Sequence, residues 1–259
     1  MLSAPERWRL ALESWAIPEE IIGQAEESPW IHPPILFDAP EVAVASPSHD
    51  RAREALGDEA SVLDVGCGGG AAAMALVPDV RIVIGVDQQA EMLAMFRRNA
   101  ADRGLRCSTI EGDWPAVAAD VPTADVVTAH HVVYNVGDID PFLIGLDHHA
   151  RHRVVLEMPT SHPLSGLSPA WQFFWGLERP IGPTSEDLME VLDALGYHAS
   201  QERWSGPPRS TVDVGEAAHF VRVRLCLPEA REDEVAEFIA RQPEPIEREL
   251  ATIWWDVTG

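Results

Sequence analysis

The string Asp64-Val65-Gly66-Cys67-Gly68-Gly69-Gly70 constrains this chain more than any other. An uninterrupted apolar run, SVLDV, leads into it and reads as a buried strand. AAAMAL leaves it and reads as a helix of small residues. Glycines at this place let the backbone turn tightly and let a ligand approach the main chain. A helix start offers free N–H groups to an anionic moiety. The next apolar run, RIVIGVD (81–87), ends on Asp87, where a carboxylate can accept both hydroxyls of a ribose.

The runs that follow repeat the pattern. CSTIEGD (107–113), ADVVTAHHVV (124–133) and RVVLEMP (153–159) read as the third, fourth and fifth strands, and helical patterns lie over QQAEMLAMFRRNAADRG and 138–150. Continuous apolar strands alternating with helices predict an α/β fold, a doubly wound, mostly parallel sheet covered on both faces. The second half is less regular. Residues 160–183 are rich in aromatics and prolines and read as an irregular insertion. Thr184 to Asp187 form a capping-box pattern that opens a helix closed by Gly196. YHASQERW (197–204) reads as strand six, 215–228 reads equally as strand or helix, 232–242 as helix, and TIWWDV as the last strand. Residues 1–50 read as an N-terminal cap: Trp8, Leu12, Trp15 and Ala16 recur at helical spacing, and prolines then interrupt the chain from Pro29 to Pro47. Residues 51–259 form the main domain, with insertions at 160–183 and 215–242.

Two cofactors use a glycine loop of this kind. Gly66 to Ala71 also satisfies the G-x-G-x-x-A dinucleotide pattern. The acid two residues before the first glycine favours the other cofactor, S-adenosylmethionine (SAM), whose methionine ammonium group needs an acceptor; a pyrophosphate gains nothing from a carboxylate close by. The whole D-x-G-x-G-x-G string resembles the first motif of class I SAM-dependent methyltransferases. The segments 132–143 (VVYNVGDIDPFL), 176–188 (GLERPIGPTSEDL) and TIWW also resemble actinobacterial members of that family.

The family resemblance runs over roughly residues 55–200. It implies methyl transfer from SAM, with S-adenosylhomocysteine (SAH) as product, and a seven-stranded Rossmann-like sheet whose last strand, here TIWWDV, is antiparallel. It places Asp64, Gly66, Cys67, Gly68, Gly70, Asp87 and Gln88 around the cofactor. Gly112 and Asp113 would meet the adenine amino group, Trp114 would stack on the ring, and the backbone near His130 would meet the methionine part. A helical insertion before the last strand departs from the family pattern.

The acceptor is read less directly. His130 and His131 are adjacent and would point to opposite faces of a strand. His131 and Tyr134 are the candidates to bind the acceptor or take its proton. The chain has no Asn/Asp-Pro-Pro-Tyr/Phe motif and no Pro-Cys near strand four, which argues against methylation of base or glutamine amide nitrogens and of pyrimidine C5. Trp30, His32, Trp171 and Trp175 would line the acceptor pocket. Aromatic walls beside a 40-residue stretch (11–50) with eight acids and no base suggest a cationic or amine small molecule.

Composition closes other routes. A net charge of −23 repels phosphate backbones, so no nucleic acid partner is expected. The chain has no lysine, which removes Schiff-base chemistry and the Tyr/Lys pair of the rival reading, a nicotinamide-dependent oxidoreductase. A SAM-binding protein without catalysis is the other alternative. His148 and His152 read as charges at a helix terminus, so no metal is expected. Three scattered cysteines and no long apolar run predict a cytoplasmic protein with no membrane partner.

Overall fold

In the computed structural model the chain forms seven strands: β1 (Ser61–Val65), β2 (Ile82–Asp87), β3 (Arg106–Glu111), β4 (Ala124–His130), β5 (Ala150–Pro159), β6 (Ser200–Gly206) and β7 (Arg248–Asp256). The structure describes residues 2–30, 38–41, 44–207, 214–242 and 247–258. The strands form one sheet in the order β3-β2-β1-β4-β5-β7-β6. Strands β1 to β5 are parallel, and β7 inserts antiparallel between β5 and β6. This is the doubly wound sheet that the apolar runs predict.

Residues of the five inner strands feed two cores, one on each face of the sheet. Leu63, Val127, Leu156 and Ile253 face α1 (Ala4–Glu13), α6 (Ile139–His149) and α8 (Ser185–Ala194). Val62, Val83, Val126 and Val155 face the other way, toward α3 (Pro47–Glu54), α4 (Ala71–Met74) and α5 (Ala90–Asp102). Each side chain taken from water adds roughly 1.5–3 kcal/mol, which is why strands buried on both faces read as unbroken apolar runs.

A third, smaller core lies outside the sheet. Ile21 of α2 (Glu19–Ile22) and Trp171 of α7 (Ser168–Trp175) pack with Ala218 of α9 (Val214–Arg224) and Val235 of α10 (Glu232–Ala240). The ambiguous stretch 215–228 is therefore helical at its start. Its Arg222 is buried, with a side chain 3% exposed, and pairs with Glu27 and Glu232. A guanidinium removed from water needs such partners. The insertion at 160–183, read as irregular, contains α7, with a proline in the first turn where a missing N–H costs nothing.

The N-terminal residues spread over all three cores. Trp8 is 1% exposed in the sheet core and donates its indole N–H to the carbonyl of Val136 at 2.8 Å. Ile21 belongs to the third core, and α3 packs on β5 and β7.

Candidate active site

Sheet order reverses between β1 and β4, so a crevice opens beyond their carboxyl ends. The glycine loop lines it. Gly66, Gly68 and Gly70 have φ of 68°, 51° and 91°, the left-handed region that favours glycine. A Cβ on Gly66 would stand 2.6 Å from Val132, and one on Gly70 2.8 Å from Phe96, so these two glycines are required by the protein's own packing. The N–H of Gly68 donates to Asp87 Oδ2 at 3.0 Å, and Asp87 Oδ1 accepts from the N–H of Gln89 at 2.9 Å. The acid at the end of β2 thus fixes the loop beside it. Cys67 turns its side chain into the core, where burial pushes its thiol up; its backbone alone lines the loop.

Asp64, expected at the cofactor's ammonium group, lies beneath the loop and is 2% exposed. Its Oδ1 accepts from the Thr128 hydroxyl at 3.1 Å and its Oδ2 from the N–H of Ala73 at 3.4 Å. Burial raises its pKa to about 7 against the lowering by those two hydrogen bonds. The carboxylate braces α4 and β4 against each other.

Gln88 is exposed on the turn after β2. Gly112 has a φ of 151° and donates its N–H to the carbonyl of Asp87 at 3.0 Å. Asp113 is exposed beside it. Trp114 packs on α6, with its indole N–H on the carbonyl of Phe142 at 3.2 Å and one edge 3.1 Å from the place where Gly145 would carry a Cβ.

At the tip of β4 the two histidines diverge. His130 stacks on His49 at 5.8 Å, and its Nε2 is buried without a partner. Burial lowers its pKa to about 3, so it is neutral at neutral pH. His131 takes a φ of 59°, uncommon for a side-chain-bearing residue. Its N–H donates to the carbonyl of Glu157 at 2.7 Å, and its Nε2 lies 3.2 Å from Glu157 Oε1. Burial of Glu157 by itself would raise its pKa, but the His131 hydrogen bond leads the effects that hold the carboxyl well below the usual range. Tyr134 meets His162 edge-on at 5.9 Å, and His162 stacks on Trp15 at 4.1 Å. Burial, with the Arg179 charge added, lowers the His162 pKa to about 4.

Those rings lead to a narrow crevice. Trp30 and Trp171 line it together with Trp15, Leu167, Arg179 and Arg224. Trp175 stands apart: it is taken up in the third core and donates its indole N–H to the carbonyl of Leu225 at 2.7 Å. His32 lies outside the described residues. His149 hydrogen-bonds the carbonyls of Gly145 and Ala118, and His152 that of Ala55. Among the described residues no group of three or more such side chains has the placement to hold a metal ion. Sequence reasoning missed Glu157, His162 and Arg179. Glu157 did leave a signal, as an acid inside the apolar run RVVLEMP.

A left-handed glycine loop tied to an acid at the end of β2 fits the nucleoside and methionine parts of SAM. A model of a methyltransferase domain matches residues 62–149. Trans-aconitate 2-methyltransferase of Azoarcus sp. (strain BH72) is 32% identical over 205 residues, which span 73% of this chain and 78% of that one. The chain belongs to the SAM-dependent methyltransferases. Solved structures share the fold. The YcgJ protein of Bacillus subtilis is 16% identical with a TM-score of 0.54, covering 82% of this chain and 98% of that one. A candidate methyltransferase of Bacillus halodurans is 15% identical with a TM-score of 0.53, covering 83% and 100%. The methyltransferase is thus an enzyme whose cofactor is SAM. Among its described residues no helix is long and apolar enough to cross a membrane.

Proposed function

We propose that this methyltransferase acts on an oxygen of a small molecule that enters between the tip of β4 and the tryptophan crevice. The observation that carries the reading is the convergence of the two sites: the rings of Tyr134, His162 and Trp15 join the β4 tip to the crevice walls. The Azoarcus relative is named for trans-aconitate, a carboxylate, which supports oxygen as the acceptor atom.

Bound SAM supplies an electrophilic methyl group on a sulfonium. The protein's part is alignment and exclusion of water. Asp87 and the glycine loop hold the cofactor, with Gln88, Gly112, Asp113 and the backbone at His130 along its edge. Trp114 borders the adenine end, and Asp64 keeps the loop in place. His131, held by Glu157, offers its other ring nitrogen to the acceptor, and Tyr134 forms a wall. The third core, built from N-terminal residues with α7, α9 and α10, serves as the cap that closes the crevice to water.

Transfer of labelled methyl from SAM to a panel of small acids, phenols and amines tests this. Label in an ester or ether is expected. Label in amines alone would overturn the oxygen reading.

A further inference from the structure

The crevice holds a cation that no carboxylate among the described residues pairs with. The chain carries 42 acids against 19 arginines, so carboxylate partners are abundant. Arg51, Arg153 and Arg222 each pair with two or more of them. Arg179 lines the crevice and has no carboxylate partner among the described residues. Its guanidinium lies 5.2 Å from the ring centre of Trp15 and 4.9 Å from that of Trp171. Its terminal nitrogens donate to the backbone carbonyls of Trp15 and Ala16. Its Nε is buried and donates to nothing. Rings and carbonyls fix the plane of the group and leave its charge uncancelled. Burial alone disfavours that charge.

Arg224 adds a second guanidinium to the lining, bonded to the carbonyl of Pro29 and stacked on Phe220. None of the eight acids of 11–50 is among the residues that line the crevice. Glu27 is spent on Arg222, and Glu26 accepts from the N–H of Glu229. Among the described residues the lining of the crevice contains no carboxylate.

We propose that Arg179 anchors a carboxylate of the acceptor, a group other than the one that takes the methyl, so that the substrate is a small molecule with at least two oxygen functions, one of them an ionised carboxylate. This rests on the methyltransferase reading and deepens it. A guanidinium carries five N–H groups, so donors remain beyond those given to the two carbonyls, and Trp30, the exposed ring of the lining, can cover the carbon skeleton. The ring contacts from Trp15 through His162 to Tyr134 set the direction in which the rest of the molecule runs toward the β4 tip.

The test uses the full chain saturated with SAH. Binding of trans-aconitate and succinate is measured by tryptophan fluorescence, beside their neutral methyl esters, in the wild type, Arg179→Gln and Arg179→Lys. At least one acid is expected to bind the wild type with a clear preference over its ester. Arg179→Gln should weaken the acid roughly 30-fold and abolish the preference, while SAH affinity stays within about twofold. Lysine, a point charge without the fork, should keep part of the preference. A purely structural role would weaken acid and ester alike, and that result overturns the proposal. So does equal acid binding by wild type and Arg179→Gln, or binding of neither acid by the wild type. If Arg179→Gln does not fold, Arg179→Lys decides: full retention of affinity and preference, or a loss shared by acids and esters, overturns the anchor, and a partial loss confined to the acids supports it. Failure to bind SAH would instead overturn the methyltransferase reading, and the anchor with it.

Discussion

His131 and Glu157 hold each other twice at the end of the sheet, once through the backbone at 2.7 Å and once between imidazole Nε2 and carboxylate Oε1 at 3.2 Å. The register pairs His130 with Glu157 across β4 and β5, so the residue after the strand curls back over its neighbour. A left-handed φ at His131 costs of order 1–3 kcal/mol and persists because both bonds fix it. The Ser48 hydroxyl, which also lowers the Glu157 pKa, lies 2.6 Å from that of Thr252 on β7.

Glu157→Gln should leave SAH affinity unchanged and lower kcat by about tenfold or more, because the ring loses the carboxylate that holds it. Glu157→Asp should recover part of the rate. The variant also changes acid stability. The wild-type carboxyl is held below its unfolded value, so its contribution is complete above that value and is lost as pH falls toward the folded one. Urea unfolding from pH 7 to pH 4 should fall less steeply for Glu157→Gln. Equal kcat in the two proteins would remove His131 from the reaction.

Gly66 and Gly68 should fail differently. Gly66→Ala drives a Cβ into Val132 at 2.6 Å and should cost about 1–3 kcal/mol of stability. Val132→Ala opens that space and should restore only the part of the loss due to the clash, since a side chain at a φ of 68° stays strained. Gly68→Val puts a β-branched side chain at a φ of 51° on the loop's ligand side and should abolish SAM binding in a folded protein. Calorimetry with SAM and thermal melts separate the two; normal SAM binding by Gly68→Val would mean the loop is not the cradle.

Asp64 supplies a pH dependence of opposite sign to that of Glu157. Its pKa moves from 3.8 to about 7, so the folded state favours the protonated acid. The stability this contributes is complete below the unfolded value and is lost as pH rises through 7, a change on the order of a few kcal/mol. Asp64→Asn stays neutral, can accept from Ala73 and donate to Thr128, and so keeps the brace. Its melting temperature relative to wild type should rise between pH 5.5 and pH 8.5. A constant difference across that range would show that Asp64 does not titrate there.

The sheet was legible because β1, β2, β4 and β5 are buried on both faces and read as apolar runs between helices. The glycine loop was legible because its φ values demand its composition. Other parts depend on contacts between distant residues. Arg222 on an alternating VRVRL stretch becomes helical core only because Glu27 reaches it from the far end of the chain. Trp114 is anchored to α6 because Gly145, an unremarked residue in sequence, leaves room for the indole. His131 gains its partner only when β4 and β5 pair in register. Nothing local marks Arg179, since its partners are carbonyls and rings brought together by the third core.

Trp30 gives the most direct test of the acceptor crevice. Removing residues 1–45 would not serve, since it takes away Trp8, 1% exposed in the sheet core, and Ile21 of the third core. Trp30 is 52% exposed yet lines the crevice opposite Trp171 and Arg179. Its loss uncovers little buried surface, so Trp30→Ala should cost at most about 1 kcal/mol of stability. The cofactor loop lies on β1 and β2, so SAH affinity should stay within about twofold. An aromatic anchor removed from a binding surface costs about 1–2 kcal/mol, and KM for the acceptor should rise by about tenfold at little change in kcat. Trp175→Ala, by contrast, removes a ring of the third core and should lower the melting temperature. Equal KM values for wild type and Trp30→Ala, in a folded protein with normal SAH binding, would place the acceptor elsewhere on the carboxyl edge of the sheet.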